Sequence, residues 1–203
     1  MVFNPLMMPP FWRKFVGDFA MFNYLRCGLV AGAAASLLWT SPALASTDGS
    51  FGATSTGSVI INASVAGRVR ISGLTDVTFT GVDPSVAAID AQDVCVWSNT
   101  STRGYSVTAT GSGAASAFTL SSGALPDVPY TVEWAPTSGQ STGTALTAGT
   151  ALTGQTSTAI NSDCSAGPSS SASLVVALGS PTLQSMTAGV TYNGTLTLVV
   201  APE

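Results

Sequence analysis

Gly57-Ser58-Val59-Ile60-Ile61-Asn62-Ala63-Ser64-Val65-Ala66-Gly67-Arg68-Val69-Arg70-Ile71 sets Gly57, Val59, Ile61, Ala63, Val65, Gly67, Val69 and Ile71 on one side of an extended chain. Ser58, Asn62, Ser64, Arg68 and Arg70 fall on the other side, and Ile60 is the one interruption. A period of two is that of a strand with a single buried face. Ala66-Gly67 is the expected point at which such a strand changes partners. Residues 192–200 alternate as cleanly, and the sequence ends three residues later at Glu203. A closing strand with nothing after it leaves an edge uncovered, whereas a strand at the front is free to cover an edge elsewhere.

The residues before this stretch read as a leader. Residues 27–39 are an apolar run preceded by Arg26 and followed by Thr40-Ser41-Pro42-Ala43-Leu44-Ala45. The small residues Ala43 and Ala45 satisfy the signal-peptidase rule, which predicts cleavage between Ala45 and Ser46 and therefore export. The run is too short for a permanent membrane span. Residues 21–26 alone make an ordinary start to such a leader, so Met21 is the expected true initiator.

Removing 45 of the 203 residues leaves 158, enough for one domain around one core. That mature chain sets Arg68, Arg70 and Arg103 against nine acids, a net charge of −6. Nucleic acid and anionic lipid are poor partners for it. It contains no lysine and no histidine, which removes imidazole bases, imidazole metal ligands and Schiff-base lysines together. No phosphate-binding loop occurs. No cofactor is expected. Cys27 departs with the leader, so Cys95 and Cys164 remain. An even pair in an exported chain reads as a disulfide, with two buried free thiols as the alternative.

Downstream, period-two runs alternate with turn residues, the signature of an all-β sandwich. Residues 46–56 are Ser/Thr/Gly-rich, without pattern, and are expected to be disordered or extended. Short strands are expected at 76–79, 93–98, 105–110, 118–120, 130–134, 173–178 and 192–200. An acid-bearing loop is expected over 81–93, and unpatterned chain over 135–158. Trp97, Tyr105, Tyr130 and Trp134 could stack on a sugar, but each shares its side of a strand with aliphatics, so core packing is the expectation. The spacing of Asp83, Asp90 and Asp93 matches no calcium loop, and a solvated acidic loop is expected instead. Asn99-Thr100-Ser101 and Asn193-Gly194-Thr195 fit the glycosylation acceptor pattern, which is frequent by chance.

The order of these segments resembles a known family. It runs from Thr56-Gly57-Ser58-Val59-Ile60-Ile61-Asn62-Ala63-Ser64-Val65 to Leu74-Thr75-Asp76-Val77-Thr78-Phe79-Thr80-Gly81. A Cys-bearing strand precedes Gly104-Tyr105-Ser106-Val107-Thr108, and Leu125-Pro126-Asp127-Val128-Pro129-Tyr130-Thr131-Val132 follows. Ala188-Gly189-Val190-Thr191-Tyr192-Asn193-Gly194-Thr195-Leu196-Thr197-Leu198 closes the series. This is similar to the spore coat protein U-like pilins of archaic chaperone-usher systems. The resemblance implies an immunoglobulin-like Greek-key sandwich lacking its last strand. A periplasmic chaperone would fill the gap until an outer-membrane usher exchanges it for the next subunit's N-terminal extension.

Carried onto this sequence, the resemblance implies a leader over 1–45, an extension with its donor strand over 46–66, and an incomplete sandwich over 67–203. Val59, Ile61, Ala63 and Val65 would be the donor side chains. Val69, Ile71, Tyr192, Leu196, Leu198 and Val200 would form the acceptor edge. The partners would be neighbouring pilin copies, chaperone and usher, and the destination a fimbria on the cell surface or the medium, with a role in cell adhesion. The sequence departs from the family in two places. The family's cysteine after the donor is replaced by residues 68–71, and its terminal aromatic by Ala201-Pro202-Glu203. Two other readings stay open. One is a self-contained secreted sandwich that binds or adheres, and the other a hydrolase resting on Asp83, Asp90, Asp93 or Glu133 alone.

Overall fold

The computed structural model describes residues 46–203. The expected leader, the start at Met21 and the Ala45 side of the cleavage site lie outside the described residues. The chain divides into two units, Met1–Ile61 and Asn62–Glu203. In the first, Thr47 and Ser58 close a loop. Thr47 N–H donates to the Ser58 carbonyl at 3.0 Å, Ser58 N–H returns to the Thr47 carbonyl at 2.9 Å, and the two hydroxyls meet at 2.6 Å. Residues expected to be patternless are thus tied by backbone and hydroxyl pairing, with Phe51 fully exposed within the loop.

The second unit is an all-β sandwich. Its strands are β1 (Val69–Ser72), β2 (Ala88–Ser98), β3 (Gly104–Gly111), β4 (Thr119–Leu120), β5 (Val128–Pro129), β6 (Thr131–Ala135), β7 (Thr144–Ala145), β8 (Ala151–Thr156), β9 (Ala172–Leu178) and β10 (Leu196–Pro202). One short helix, α1 (Ser180–Ser185), starts with Pro181 in its first turn. One sheet has the order β1-β2-β9-β6-β7, a second β10-β3-β8, and β4 pairs with β5. Every pairing is antiparallel.

Alternation builds the core. Val94 and Val96 of β2, Val132 and Trp134 of β6 and Leu174 and Val176 of β9 face Tyr105, Val107 and Ala109 of β3. Trp134 and Tyr105 are fully buried and meet edge to face, ring centres 6.3 Å apart, while Trp134 Nε1–H donates to the Tyr105 hydroxyl at 3.2 Å. Burial pushes the Tyr105 phenol up, with the indole donor opposing it. Tyr130 is buried as well, and Trp97 packs beside the disulfide, so the four aromatics are packing residues. The expected bond between Cys95 and Cys164 is formed, with Cα atoms 6.1 Å apart. It fastens residues 157–171 to β2, where Ser171 Oγ accepts from Val96 N–H and donates to the Val96 carbonyl, both at 2.8 Å.

Four expectations differ from what is found; one is residues 76–79, expected as a short strand, which join no ladder. Residues 59–68 alternate but form no ladder, because a strand needs a partner and alternation alone supplies none. Residues 88–93, expected as loop, are the first half of β2, paired to β9 from Ala88↔Leu178 to Val94↔Ala172. Of their acids, Asp93 is exposed and Asp90 half-buried. Residues 135–158 contain β7 and β8, whose Gly/Ser/Thr content hid them.

Asp93 is held rather than free. Its carboxylate accepts from Gly139 N–H at 2.6 Å and from Ser173 Oγ at 2.7 Å, and these bonds, Gly139 first, lower its pKa. Ser85 does the same for Asp83, and Ser165 for Asp163. A carboxyl whose folded pKa is depressed contributes stability above its unfolded value, about 3.9, and that contribution is lost as pH falls through the folded value. Acid titration of the melting temperature is therefore expected to show a decline below about pH 4. Asp93→Asn, which keeps an acceptor oxygen but cannot ionise, should flatten that decline, and an unchanged slope would refute the assignment.

Candidate functional site: a groove beside the edge of β10

The site begins with two strands that each have one neighbour. On β10, Glu203 N–H donates to the Gly104 carbonyl at 3.1 Å. This sets the phase of the β10-β3 ladder, in which Leu196 faces Gly111 and Pro202 faces Tyr105. Antiparallel residues alternate between exchanging bonds with one neighbour and turning the same groups the other way. Residues 197, 199 and 201 therefore bond to β3, while Leu196, Leu198 and Val200 turn N–H and C=O toward the opposite edge. The phase agrees across β3, where the Ala109 carbonyl, opposite Leu198, accepts from Gly149 on the far side. On β1, Asn99 N–H donates to the Arg68 carbonyl at 3.0 Å, so Val69 and Ile71 likewise turn their backbone away from β2.

Among the described residues no ladder joins β1 to β10, although the two strands touch. They approach at the Pro202 end, where Gly67 lies so close that a Cβ on it would stand 3.5 Å from the proline ring. Away from that end they separate. Ser72↔Cys95 is the last β1-β2 pair, and Gly73, at φ +85°, turns the chain off the edge of β2 through a conformation that favours glycine. Residues 74–82 then run without a ladder. Their hold on β2 is a side chain: the Gln92 carboxamide accepts from Thr75 N–H at 2.8 Å and donates to the Thr75 carbonyl at 3.2 Å, replacing one cross-strand pair.

Between this segment and residues 189–198 lies a groove of about 910 Å³. Its walls include Leu74, Val77, Phe79, Val82, Val190, Tyr192, Leu196 and Leu198. Its floor is the core itself: Leu120, Tyr130, Leu174, Val176, Leu178, Leu183 and Met186. Such a groove offers aliphatic pockets and unpaired amides in alternation, which is what an extended segment with alternate apolar side chains fits.

The remaining sheet edges are blunted. The β8 edge is broken by Gly154 at φ +71° and by a register shift between Tyr105 and Val107, and Glu203 Oε2 occupies Gly154 N–H at 2.8 Å. β7 is two residues long. Bulges and short length are the usual protection against edge-to-edge pairing.

The residues singled out from the sequence fall as follows. Tyr192, Leu196 and Leu198 line the groove. Val69, Ile71 and Val200 pack against the core outside the lining, with their backbone turned to the edges. Val59, Ile61 and Val65 are 73%, 86% and 86% exposed, and Ala63 is exposed too. Sequence reasoning placed the lip opposite β10 at Val69 and Ile71, whereas the lining there comes from residues 74–82. The alternation of Val77 and Phe79 was a usable signal for that lip; nothing in the sequence marked Gln92, Leu183 or Met186.

No protein-family model and no curated protein matches the chain. Among solved structures, a chain from work described as "Chaperone-tip adhesin complex is vital for synergistic activation of CFA/I fimbriae biogenesis" is similar, with 16% identity and a TM-score of 0.44. The likeness covers 68% of this chain and 41% of that one, so this chain spans well under two thirds of that chain's length. At that TM-score it decides nothing about what this chain does.

Proposed function

We propose that this chain is a structural subunit of a surface fimbria, assembled by donor-strand exchange along a chaperone-usher route, and that its role is not enzymatic. The observation that carries this reading is a pairing of opposites within one sequence. A core-deep groove lies between the ladderless residues 74–82 and the chain entering the unpaired edge of β10, and an alternating aliphatic segment has its side chains in water. Val59, Ile61 and Val65 would each gain about 1.5–3 kcal/mol on full burial, and Ala63 less, before any backbone bond to the edge of β10 is counted. A groove on one molecule filled by a different segment of the next is a heterologous contact, which propagates as an open filament. Periplasmic chaperone and outer-membrane usher are the partners this reading requires, and the cell surface is its destination.

The test uses the mature chain, residues 46–203, and the same chain without residues 46–65. The full chain is expected to form SDS-resistant ladders, and the shortened one to aggregate or to need a chaperone. A shortened chain that stays a stable, soluble monomer, beside a full chain that never forms ladders, would refute the proposal.

A further inference from the structure

Asn99, which the sequence marked only as part of an Asn-x-Ser pattern, makes a different kind of contact. Its side-chain oxygen accepts from Arg68 N–H at 2.6 Å, and its side-chain nitrogen donates to the Ala66 carbonyl at 2.9 Å. Those two groups belong to the peptides on either side of Gly67. The carboxamide therefore grips both peptides around the residue that composition would choose as a hinge, while Gly67 itself lies against Pro202.

The location gives the grip a consequence. Ala66 to Arg68 sits where β1 and β10 come together, at the end of β10 remote from the groove-lining Leu196. From Val69 the chain runs toward the groove. For its own residues 59–65 to enter its own groove, the chain would have to reverse at Ala66 to Arg68. That is the stretch Asn99 holds. Pro202, which has no N–H, also offers an incoming strand no donor at that end of the edge.

We infer that Asn99 is a positioning residue, which fixes the exit direction of the extension and so favours delivery of the donor segment to a second copy over its return into the same molecule. The inference rests on the strand-exchange reading proposed above. Asn99 is exposed, so its contribution is directional rather than one of core packing.

The experiment compares the mature wild-type chain with Asn99→Ala and Asn99→Asp. Size-exclusion chromatography measures closed monomer against polymer, and amide exchange over residues 59–65 identifies the monomer in which the segment has folded back. Uptake of a synthetic peptide of residues 57–65, present in excess during refolding, reports whether the groove is intact. Asn99→Ala is expected to raise the closed monomer about tenfold, in keeping with two lost hydrogen bonds, while peptide uptake stays as in wild type. Asn99→Asp, which keeps the bond from Arg68 and loses the one to Ala66, should fall between. An unchanged monomer fraction would overturn the inference. So would a parallel loss of polymer and peptide uptake, which marks Asn99 as merely structural. A wild-type chain that neither polymerises nor takes up the peptide would instead sink the strand-exchange reading itself.

Discussion

Ile61→Asp in the mature chain is expected to abolish polymer while leaving the domain folded. Ile61 is exposed in the isolated chain, so the substitution removes nothing that holds the sandwich together. In the proposed assembly the same position enters an apolar pocket. There the change forfeits about 1.5–3 kcal/mol of aliphatic burial and adds the several kcal/mol needed to desolvate a carboxylate without a partner. Either part alone exceeds a tenfold change in equilibrium, and together they put the loss beyond about a hundredfold. An equimolar mixture with wild type sharpens the test. The variant retains its groove, accepts a wild-type segment and then offers nothing usable to the next molecule, so mean polymer length should shorten. Polymer of normal length and resistance from Ile61→Asp alone would mean that the segment does not enter a pocket at this position.

The second large effect belongs to the disulfide. Cys95 and Cys164 are 69 residues apart, and closing a loop of that length stabilises the native state by about 4 kcal/mol in the chain-entropy model. Cys95→Ser with Cys164→Ser should lower the melting temperature by about 8–16 °C in a domain of this size, as should reduction of the wild type. The loss also has a local meaning. Cys95, Ala159 and Cys164 form a small buried cluster apart from the main core, with Trp97 packed on it, and the loop of residues 157–171 has little other apolar anchorage. Its polar ties include hydroxyl bonds to Val96 from Ser157 and Ser171 and backbone bonds from Ser157 N–H to the Arg103 carbonyl and from Ser171 N–H to the Val94 carbonyl. A melting temperature unchanged by reduction would show that those ties suffice.

The two predictions separate what each part of the chain contributes. The sandwich stands on alternation that two sheets share: Tyr105, Val107 and Ala109 from one, Val94, Val132, Trp134 and Leu174 from the other. The proposed assembly stands on alternation that no element of this chain takes up. The all-β class, the aromatic core and the disulfide were legible because each is written locally, in a period of two, in aromatics sharing a side with aliphatics, and in an even number of cysteines. The groove was legible only in part. Leu196, Leu198 and Tyr192 followed from their pattern, but the opposite lip lies at residues 74–82, because Gly73 deflects the chain and Gln92 stands in for a ladder pair. Polar side chains that substitute for backbone leave no periodic trace.

Sequence by itself determined which residues prefer an extended backbone and which face of each strand is apolar, because side-chain alternation is a property of the single chain. Tertiary structure alone decided which of those strands found neighbours. Pairing requires a second edge at the right distance and register, so residues 88–93, with their acids, became strand, while residues 59–65, with better alternation, formed no ladder.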